Sequence, residues 1–427
     1  MTLFGTDGVR GSYPERINEE LVARLVAGFC ATIPPGNLII GRDTRSSGLS
    51  LARAAGEAGA GSGRVVVDLG VVPTPLVSMA IGSRGAVGGV VLSASHNPPH
   101  HNGIKFFDGN GAKLLESSER LIERAMPKNP PHGTKGDEVD GVEEYLERLE
   151  GVIPSREGRW HLDVAYGAAC EVAPAAFRRL GREVVVLHHQ PRGERINVDC
   201  GVLGMDALVE SVRADPNAKG GFAFDGDADR CLALSPQGEV LDGDDLLYAW
   251  TAQEVSEGRA VECVVGTTMS NGGLGKALSR LGTRLVRVGV GDREVAEGIA
   301  LSRASLGGEP SGHTIFPGIA PTGDGILSAL IWTELAGEGT MDDWVGAWEK
   351  HTQVHQSIPL TEKARSRWEK EGERRERTAR RELPDEVRII VRPSGTEQIL
   401  RLMVEHADAT VAKDSLHLLL QKVRAWL

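Results

Sequence analysis

Three aspartates alternate with small residues in one short segment, Asp225-Gly226-Asp227-Ala228-Asp229. Carboxylates at this spacing in a Gly-containing loop can converge on one hard cation, and oxygen-only ligands favour Mg²⁺ or Ca²⁺ over zinc. A calcium EF-hand loop is the rival interpretation. It fails because Arg230 stands where that loop needs Gly and Pro236 stands where it needs Glu. The segment predicts a Mg²⁺ site with room for an outside ligand such as a phosphate oxygen.

A serine lies just beyond a second strand pattern. Gly88 to Leu92 reads as a buried strand that cannot continue past Asn97-Pro98, so Ser95 should lie in a tight turn at the mouth of a sheet. Lys105 follows on the next strand, between apolar residues. A nucleophilic serine near a cation suits transfer of an anionic group, because the cation offsets the charge being moved. A Ser-Asn-Pro turn without chemistry is the alternative for this stretch alone.

Two Gly-rich loops offer further polar groups. The segment Phe4 to Gly11 contains three glycines around Thr, Asp and Arg, which predicts a loop that comes close to a ligand, with Arg10 directed at an anion. A plain surface turn is the alternative. Glu309, Ser311 and His313 bring a carboxylate, a hydroxyl and an imidazole together in a way that suits sugar hydroxyls. Taken alone, His313 is interpreted as a core histidine.

A turn near the C-terminus resembles a phosphate cradle. Arg392 supplies a fork of donors, Ser394 and Thr396 add hydroxyls, and Gly395 lets backbone N–H groups approach. Arg401 follows on the next strand. Together with the serine, the metal segment and the sugar loop, this cradle predicts phosphoryl transfer to and from a sugar phosphate, with one anchor for the phosphate that is not reacting.

The elements that position these residues alternate between strand and helix at short spacing, which predicts layered α/β units. We place domain boundaries at 1–140, 141–240, 241–352 and 353–427. The segment from Arg42 to Arg45 opens a helix and has two interpretations, an anion site or an internal ion-pair network. The charged helix from Glu362 to Glu382 is interpreted as a solvated face.

The chain has 427 residues, a net charge of −11 and a pI of about 5.6, which argues against nucleic-acid and anionic-membrane partners. None of the five cysteines forms a Cys-x-x-Cys pair, so neither a disulfide framework nor a zinc site is indicated. Without a cationic leader or a long apolar run, a cytoplasmic protein is expected.

These motifs resemble those of the α-D-phosphohexomutases, and most closely their bacterial phosphoglucosamine mutase branch. The resemblance runs from Phe4-Gly5-Thr6-Asp7-Gly8-Val9-Arg10-Gly11 to Arg392-Pro393-Ser394-Gly395-Thr396-Glu397. It implies an α/β protein with three similar mixed α/β domains and a smaller C-terminal α+β domain around a central cleft. It also implies an isomerase-class phosphotransferase that interconverts glucosamine 6-phosphate and glucosamine 1-phosphate through a bound 1,6-bisphosphate. For the oligomeric state, the sequence leaves both a monomer and a homodimer open.

The resemblance also assigns roles. Ser95 matches the phosphorylated serine and, with Asp225, Asp227 and Asp229, the ligands of one Mg²⁺. The remaining matches are catalytic or substrate-binding positions: Arg10, Lys105, His313, Arg230, Glu309, Ser311, Arg392, Ser394, Gly395, Thr396 and Arg401.

Some residues depart from the branch pattern. Pro310 stands where Gln is frequent and lies inside the sugar loop, and Tyr166 replaces an Asn of the second domain. Three alternatives therefore stand beside a phosphoglucosamine mutase. They are a mutase for mannose or glucose phosphates, a Mg²⁺-dependent sugar phosphatase, and a catalytically silent sugar-phosphate-binding protein.

Overall fold

The computed structural model describes residues 3–5, 7–393 and 398–426. Its strands form four sheets, whose members span residues 9–108, 159–241, 263–315 and 352–406 in turn. Helices pack on these sheets, as the alternating pattern predicts. Within the described part of the chain, no helix is both long enough and apolar enough to span a bilayer.

The first sheet has the order β1-β5-β4-β2-β3, with a parallel centre and two antiparallel pairings at one side. Its strands are β1 (Val9–Ser12), β2 (Asn37–Arg42), β3 (Val65–Val71), β4 (Gly88–Leu92) and β5 (His101–Asp108). The helices are α1 (Glu19–Thr32), α2 (Gly48–Gly61), α3 (Thr74–Ser83) and α4 (Glu116–Ala125). β4 is buried at all five positions, as its unbroken apolar run requires.

The second sheet has the order β10-β9-β8-β6-β7, in which β6 pairs in parallel with both β7 and β8. Its strands are β6 (Arg159–Asp163), β7 (Glu183–Leu187), β8 (Ala218–Phe224), β9 (Cys231–Leu234) and β10 (Val240–Leu241). The helices of this unit are α5 (Val142–Glu150), α6 (Ala169–Arg179) and α7 (Asp206–Ala214). The three aspartates follow β8 directly.

The third sheet has the order β12-β11-β13-β14. Its helices are α8 (Gly243–Ser256), α9 (Gly272–Arg280), α10 (Asp292–Ser302) and α11 (Gly325–Ala336). Its strands are β11 (Cys263–Thr267), β12 (Arg284–Val288), β13 (Gly307–Gly308) and β14 (Thr314–Ile315). The predicted sugar loop joins the two short strands, β13 and β14.

The fourth sheet is antiparallel and has the order β15-β17-β16. It contains β15 (Thr352–Pro359), β16 (Arg388–Pro393) and β17 (Ile399–His406), with α12 (Glu362–Arg380) and α13 (Ala409–Trp426). α12 is largely exposed, as its charge predicts, but Trp368 enters the core of this unit. The helix is therefore a packed part of the last unit rather than only a solvated face.

Candidate active site

Ser95 lies in the turn after β4, where its strand pattern predicts it. Its backbone has the left-handed φ of 51°, and its side chain is buried. The Ser93 hydroxyl accepts a hydrogen bond from the Ser95 N–H at 2.8 Å. The Ser95 hydroxyl donates to Asp225 Oδ2 at 2.6 Å, so the serine turn and the aspartate loop meet directly.

Arg45 holds the serine turn in place. Its buried guanidinium pairs with Asp43 at 3.0 Å and donates to the carbonyl oxygens of Ser95 at 2.9 Å and Asn97 at 2.8 Å. It also donates to His101 O at 2.9 Å and to a further carbonyl of the turn. Of the two interpretations of this segment, the structure shows the internal ion-pair network for Arg45.

The second sheet contributes to the same turn. The Asn197 amide donates to Ser95 O at 2.9 Å, and the Thr74 N–H of the first unit donates to Asp227 O at 2.9 Å. The Thr74 hydroxyl also donates to the Asp227 carboxylate. Neither residue stands out in the sequence, because each acts on a partner more than 100 positions away.

The three aspartates converge as their spacing predicts. One carboxylate oxygen from each of Asp225, Asp227 and Asp229 lies within 4.8 Å of the others, and all three side chains are buried. Lys105 Nζ donates to Asp227 at 2.7 Å and to Asp229 at 2.9 Å. Lys105, the cation that the sequence places near Ser95, is therefore bound to the aspartate loop.

The triad fits a divalent metal. Within the described residues, Asp227 Oδ1 and Asp229 Oδ1 are buried without a hydrogen-bond partner, although buried carboxylate oxygens are normally satisfied. Burial and the neighbouring carboxylates of Asp229 and Asp227 raise the pKa of Asp225 to about 7. Burial alone would also raise the pKa of Asp229, but Lys105 and Lys113 hold it well below its usual value. Unpaired oxygens and closely packed negative charge are what a hard cation relieves.

A second cation, Lys113, lies beside this cluster and is not indicated by any sequence pattern. Its ammonium contacts Asp7 Oδ1 at 2.7 Å, Asp229 at 3.9 Å and, in a closer ion pair, Asp292. Burial lowers the pKa of Lys113 well below its usual value. Arg10, which the sequence directs at an anion, pairs with Asp7. Asp7 in turn lies 3.2 Å from Lys105.

The predicted sugar loop faces the same region. The backbone of His313 pairs with that of Arg230, which places the imidazole next to the aspartate loop, 3.4 Å from Asp292. Burial lowers the pKa of His313 to about 4, so the ring is neutral at pH 7. Among the residues described, neither His313 ring nitrogen has a hydrogen-bond partner, and neither has the Ser311 hydroxyl. Glu309 accepts a hydrogen bond from Gly291 N at 3.1 Å.

The predicted phosphate cradle is described in part. Arg392 on β16 lies directly opposite Arg401 on β17. Burial, followed by the charge of Arg401, lowers the pKa of Arg392, and Glu309 acts in the opposite direction. These two guanidinium groups therefore concentrate positive charge near the sugar loop. Ser394, Gly395 and Thr396, which the sequence assigns to the cradle, lie outside the described residues.

Comparison with protein families finds three matches. Residues 1–132 match the phosphoglucomutase/phosphomannomutase alpha/beta/alpha domain I, residues 242–351 match domain III, and residues 352–419 match the C-terminal domain of the same family. A phosphoglucosamine mutase of Salinispora tropica is 38% identical, and the alignment covers 99% of this chain and 98% of that protein. A phosphoglucosamine mutase of Rippkaea orientalis is 37% identical over 95% of this chain and 89% of that protein.

Solved structures show the same fold. A phosphoglucomutase/phosphomannomutase family protein from Burkholderia thailandensis superposes with a TM-score of 0.86 at 21% identity, covering 100% of this chain and 97% of the other. An Aspergillus fumigatus N-acetylphosphoglucosamine mutase, solved with GlcNAc-6P and magnesium, gives a TM-score of 0.61 at 15% identity. That alignment covers 99% of this chain and 96% of the other.

Proposed function

Because this chain belongs to the phosphoglucomutase/phosphomannomutase family, we propose that it is a phosphoglucosamine mutase that interconverts glucosamine 6-phosphate and glucosamine 1-phosphate. The observation that carries the proposal is the 2.6 Å hydrogen bond from Ser95 Oγ to Asp225, within a buried carboxylate triad that also contacts Lys105. The serine supplies the oxygen that carries the phosphoryl group.

The reaction consists of two phosphoryl transfers. In the first, the P–O bond to Ser95 breaks as a bond forms to the free hydroxyl of the hexosamine phosphate, which yields a bound 1,6-bisphosphate. The sugar then turns around, and the other phosphate returns to Ser95. The hydrogen bond from Ser95 to Asp225 orients the serine oxygen for this return.

Each transfer also moves a proton. In the first transfer the attacking sugar hydroxyl loses a proton, which we assign to His313, whose neutral, buried ring lies beside Arg230 and Asp292. The released Ser95 oxygen takes up a proton from solvent. In the second transfer the attacking Ser95 hydroxyl loses that proton to solvent, and His313 returns its own proton to the departing sugar oxygen. Lys105, Arg10 and Arg230 offset the charge of the phosphoryl group. Lys105 contacts Asp227, and Arg230 lies 3.9 Å from Asp229. Arg10 pairs with Asp7, which lies 3.2 Å from Lys105.

Asp225, Asp227 and Asp229, with the phosphorylated Ser95, would hold one Mg²⁺. When bound, Mg²⁺ supplies compensating charge beside the reacting phosphate. The unpaired Asp227 and Asp229 oxygens in the described structure support this assignment.

Substrate binding is assigned to the sugar loop and to the C-terminal cradle. Glu309 and Ser311 contact the sugar, and Arg392 and Arg401, with Ser394, Gly395 and Thr396, hold the phosphate that is not reacting. The cross-strand position of the two arginines supports this role. We propose that the chain has four domains, 1–140, 141–240, 241–352 and 353–427. Each of them supplies one part of the site.

A ³¹P NMR turnover assay with Mg²⁺ and a trace of the matching bisphosphate tests the proposal. We expect glucosamine 6-phosphate to be converted faster than glucose 1-phosphate or mannose 1-phosphate, and Ser95→Ala to abolish turnover. Full mutase turnover by Ser95→Ala would refute the phosphoserine route.

Pro310 in the sugar loop gives a specific reason to compare substrates. Equal or faster turnover of glucose or mannose phosphate would reassign the chain to the broader hexose mutases. Release of inorganic phosphate faster than isomer formation would instead identify a sugar phosphatase.

A further inference from the structure

We propose that Asp163, His188 and Cys200 form a second metal site that binds Zn²⁺, separate from the oxygen-only triad. A carboxylate oxygen, an imidazole nitrogen and the thiol sulfur of these residues all lie within 4.8 Å of one another. Asp163 and Cys200 are fully buried, and the His188 side chain is 18% exposed, which leaves a path to solvent.

The fold brings the three residues together from distant positions. Asp163 is the last residue of β6, and His188 follows the last residue of β7. These strands are parallel neighbours in which Asp163 lies opposite Leu187, so their carboxyl ends meet at one edge of the sheet. Cys200 directly precedes a 3₁₀ turn that begins at Gly201.

The polar atoms of the cluster are incompletely satisfied. Asp163 Oδ1 accepts a hydrogen bond from Ala165 N at 3.0 Å, but Asp163 Oδ2 is buried with no hydrogen-bond partner in the described structure. His188 Nδ1 lies 2.9 Å from Asp163 Oδ1 without the alignment of a hydrogen bond. The Cys200 sulfur makes a long contact, 3.9 Å, with Arg195 O. A buried carboxylate oxygen, an imidazole nitrogen and one thiol therefore face one another with their hydrogen-bonding capacity incompletely used, as metal ligands do.

The donor set selects the metal. A nitrogen, a sulfur and a carboxylate oxygen are the ligands that Zn²⁺ takes in proteins, whereas Mg²⁺ takes oxygen. The two sites therefore differ in the ion that they prefer. The sequence does not indicate a zinc site, because its ligands are single residues 25 and 12 positions apart. The parallel pairing of β6 and β7 joins Asp163 and His188, and the loop after β7 brings Cys200 to them.

The site is linked to the serine turn through one loop. Residues 189–199 connect His188 to Cys200, and Asn197 of this loop donates to Ser95 O at 2.9 Å. An ion held at both ends of the loop would restrain it against the second sheet. Metal binding should therefore protect the loop from proteolysis at Arg192 and Arg195, which are both exposed.

Cobalt provides a direct test, because a thiolate-to-cobalt charge-transfer absorption requires a sulfur ligand and the oxygen-only triad has none. The full chain, purified without metal and then saturated with Mg²⁺ to occupy the triad, is titrated with Co²⁺. We expect one charge-transfer band per chain, which one equivalent of Zn²⁺ removes. Cys200→Ser and His188→Ala should each lose the band, and Cys263→Ser, which removes a buried thiol in the third sheet, should keep it.

Absence of the band in the unmodified chain, or its persistence in Cys200→Ser or His188→Ala, would overturn the site. If Cys200→Ser does not fold, the cobalt band of His188→Ala is the deciding measurement, because the partly exposed His188 side chain can be removed with less effect on folding. Trypsin cleavage within residues 189–200 should slow at least severalfold with Zn²⁺ in the unmodified chain and not in His188→Ala. Equal rates in both would also overturn the proposal.

Discussion

Replacing Arg45 with methionine tests whether one buried guanidinium positions the serine turn. The Arg45 side chain is fully buried, pairs with the equally buried Asp43, and donates to four carbonyl oxygens of the turn. Methionine fills a similar volume but supplies no charge and no donor. Asp43 would then be a buried carboxylate without a counter-ion, although Ser93 still donates to it at 2.6 Å.

The magnitude follows from the burial of the pair. Removing one partner of a buried ion pair costs about 3–5 kcal/mol, because the other charge is left uncompensated. That is a large part of the roughly 5–15 kcal/mol by which proteins are stable. Burial already raises the pKa of Asp43. A carboxyl group with a raised folded-state pKa contributes stability at low pH and loses it as the pH rises through that value. The deficit of Arg45→Met should therefore shrink as the pH is lowered.

Urea unfolding followed by fluorescence, together with hydrogen exchange of residues 95–101, measures both effects. We expect a lower urea midpoint and faster exchange in the turn for Arg45→Met. The Asp43→Asn/Arg45→Met double variant should recover part of the loss. Arg53→Met, which removes an exposed arginine that pairs with Glu57, should unfold at the wild-type midpoint. A wild-type midpoint for Arg45→Met would refute the reasoning.

Three further predictions concern the same framework. The folded-state pKa of Asp225 is raised to about 7, so the metal-free chain should lose thermal stability as the pH rises through that value. Calorimetry of Asp225→Asn should show a weaker dependence of the melting temperature on pH. Tyr145→Phe should cost about 1.5–3 kcal/mol in urea unfolding, because its hydroxyl donates one proton to the buried Asp324 carboxylate, whose two oxygens lie 2.9 and 3.0 Å away. An unchanged midpoint would contradict this. Gly8→Ala should abolish turnover, because the added methyl group would overlap the backbone carbonyl of Ile104 in β5, next to Lys105. The control is Gly63→Ala, at a similar positive φ in open space, which should lower the free energy of unfolding by only about 1 kcal/mol and keep activity.

Much of the fold could be predicted from the sequence, because most elements carry strong local patterns. The buried strand β4 has the bounds, Gly88 to Leu92, that its apolar run predicts. β15 was not predicted. It is an edge strand with several exposed side chains, so it lacks both the apolar run and the clear alternation on which strand prediction depends.

Prediction of the candidate site was limited by sequence separation. Asp225, Asp227 and Asp229 are close in the chain, so their convergence could be inferred from spacing alone. Lys113 and Asn197 could not be found in this way. Lys113 belongs to an irregular segment, and its partner Asp292 is 179 positions away. Such contacts arise from packing between units, which local periodicity does not report.

The attachment of the serine turn to two sheets has a kinetic consequence. Arg45 and Asn197 hold the Ser95 carbonyl from the first and second units, and Thr74 ties the aspartate loop to the first. Under the proposed mechanism the reacting oxygen is thus stationary, and the bisphosphate must rotate to present its other end. Rotation then competes with escape of the intermediate into solvent. Each escape leaves an unphosphorylated serine, so the ratio of these two rates sets how often the protein must be primed again from outside.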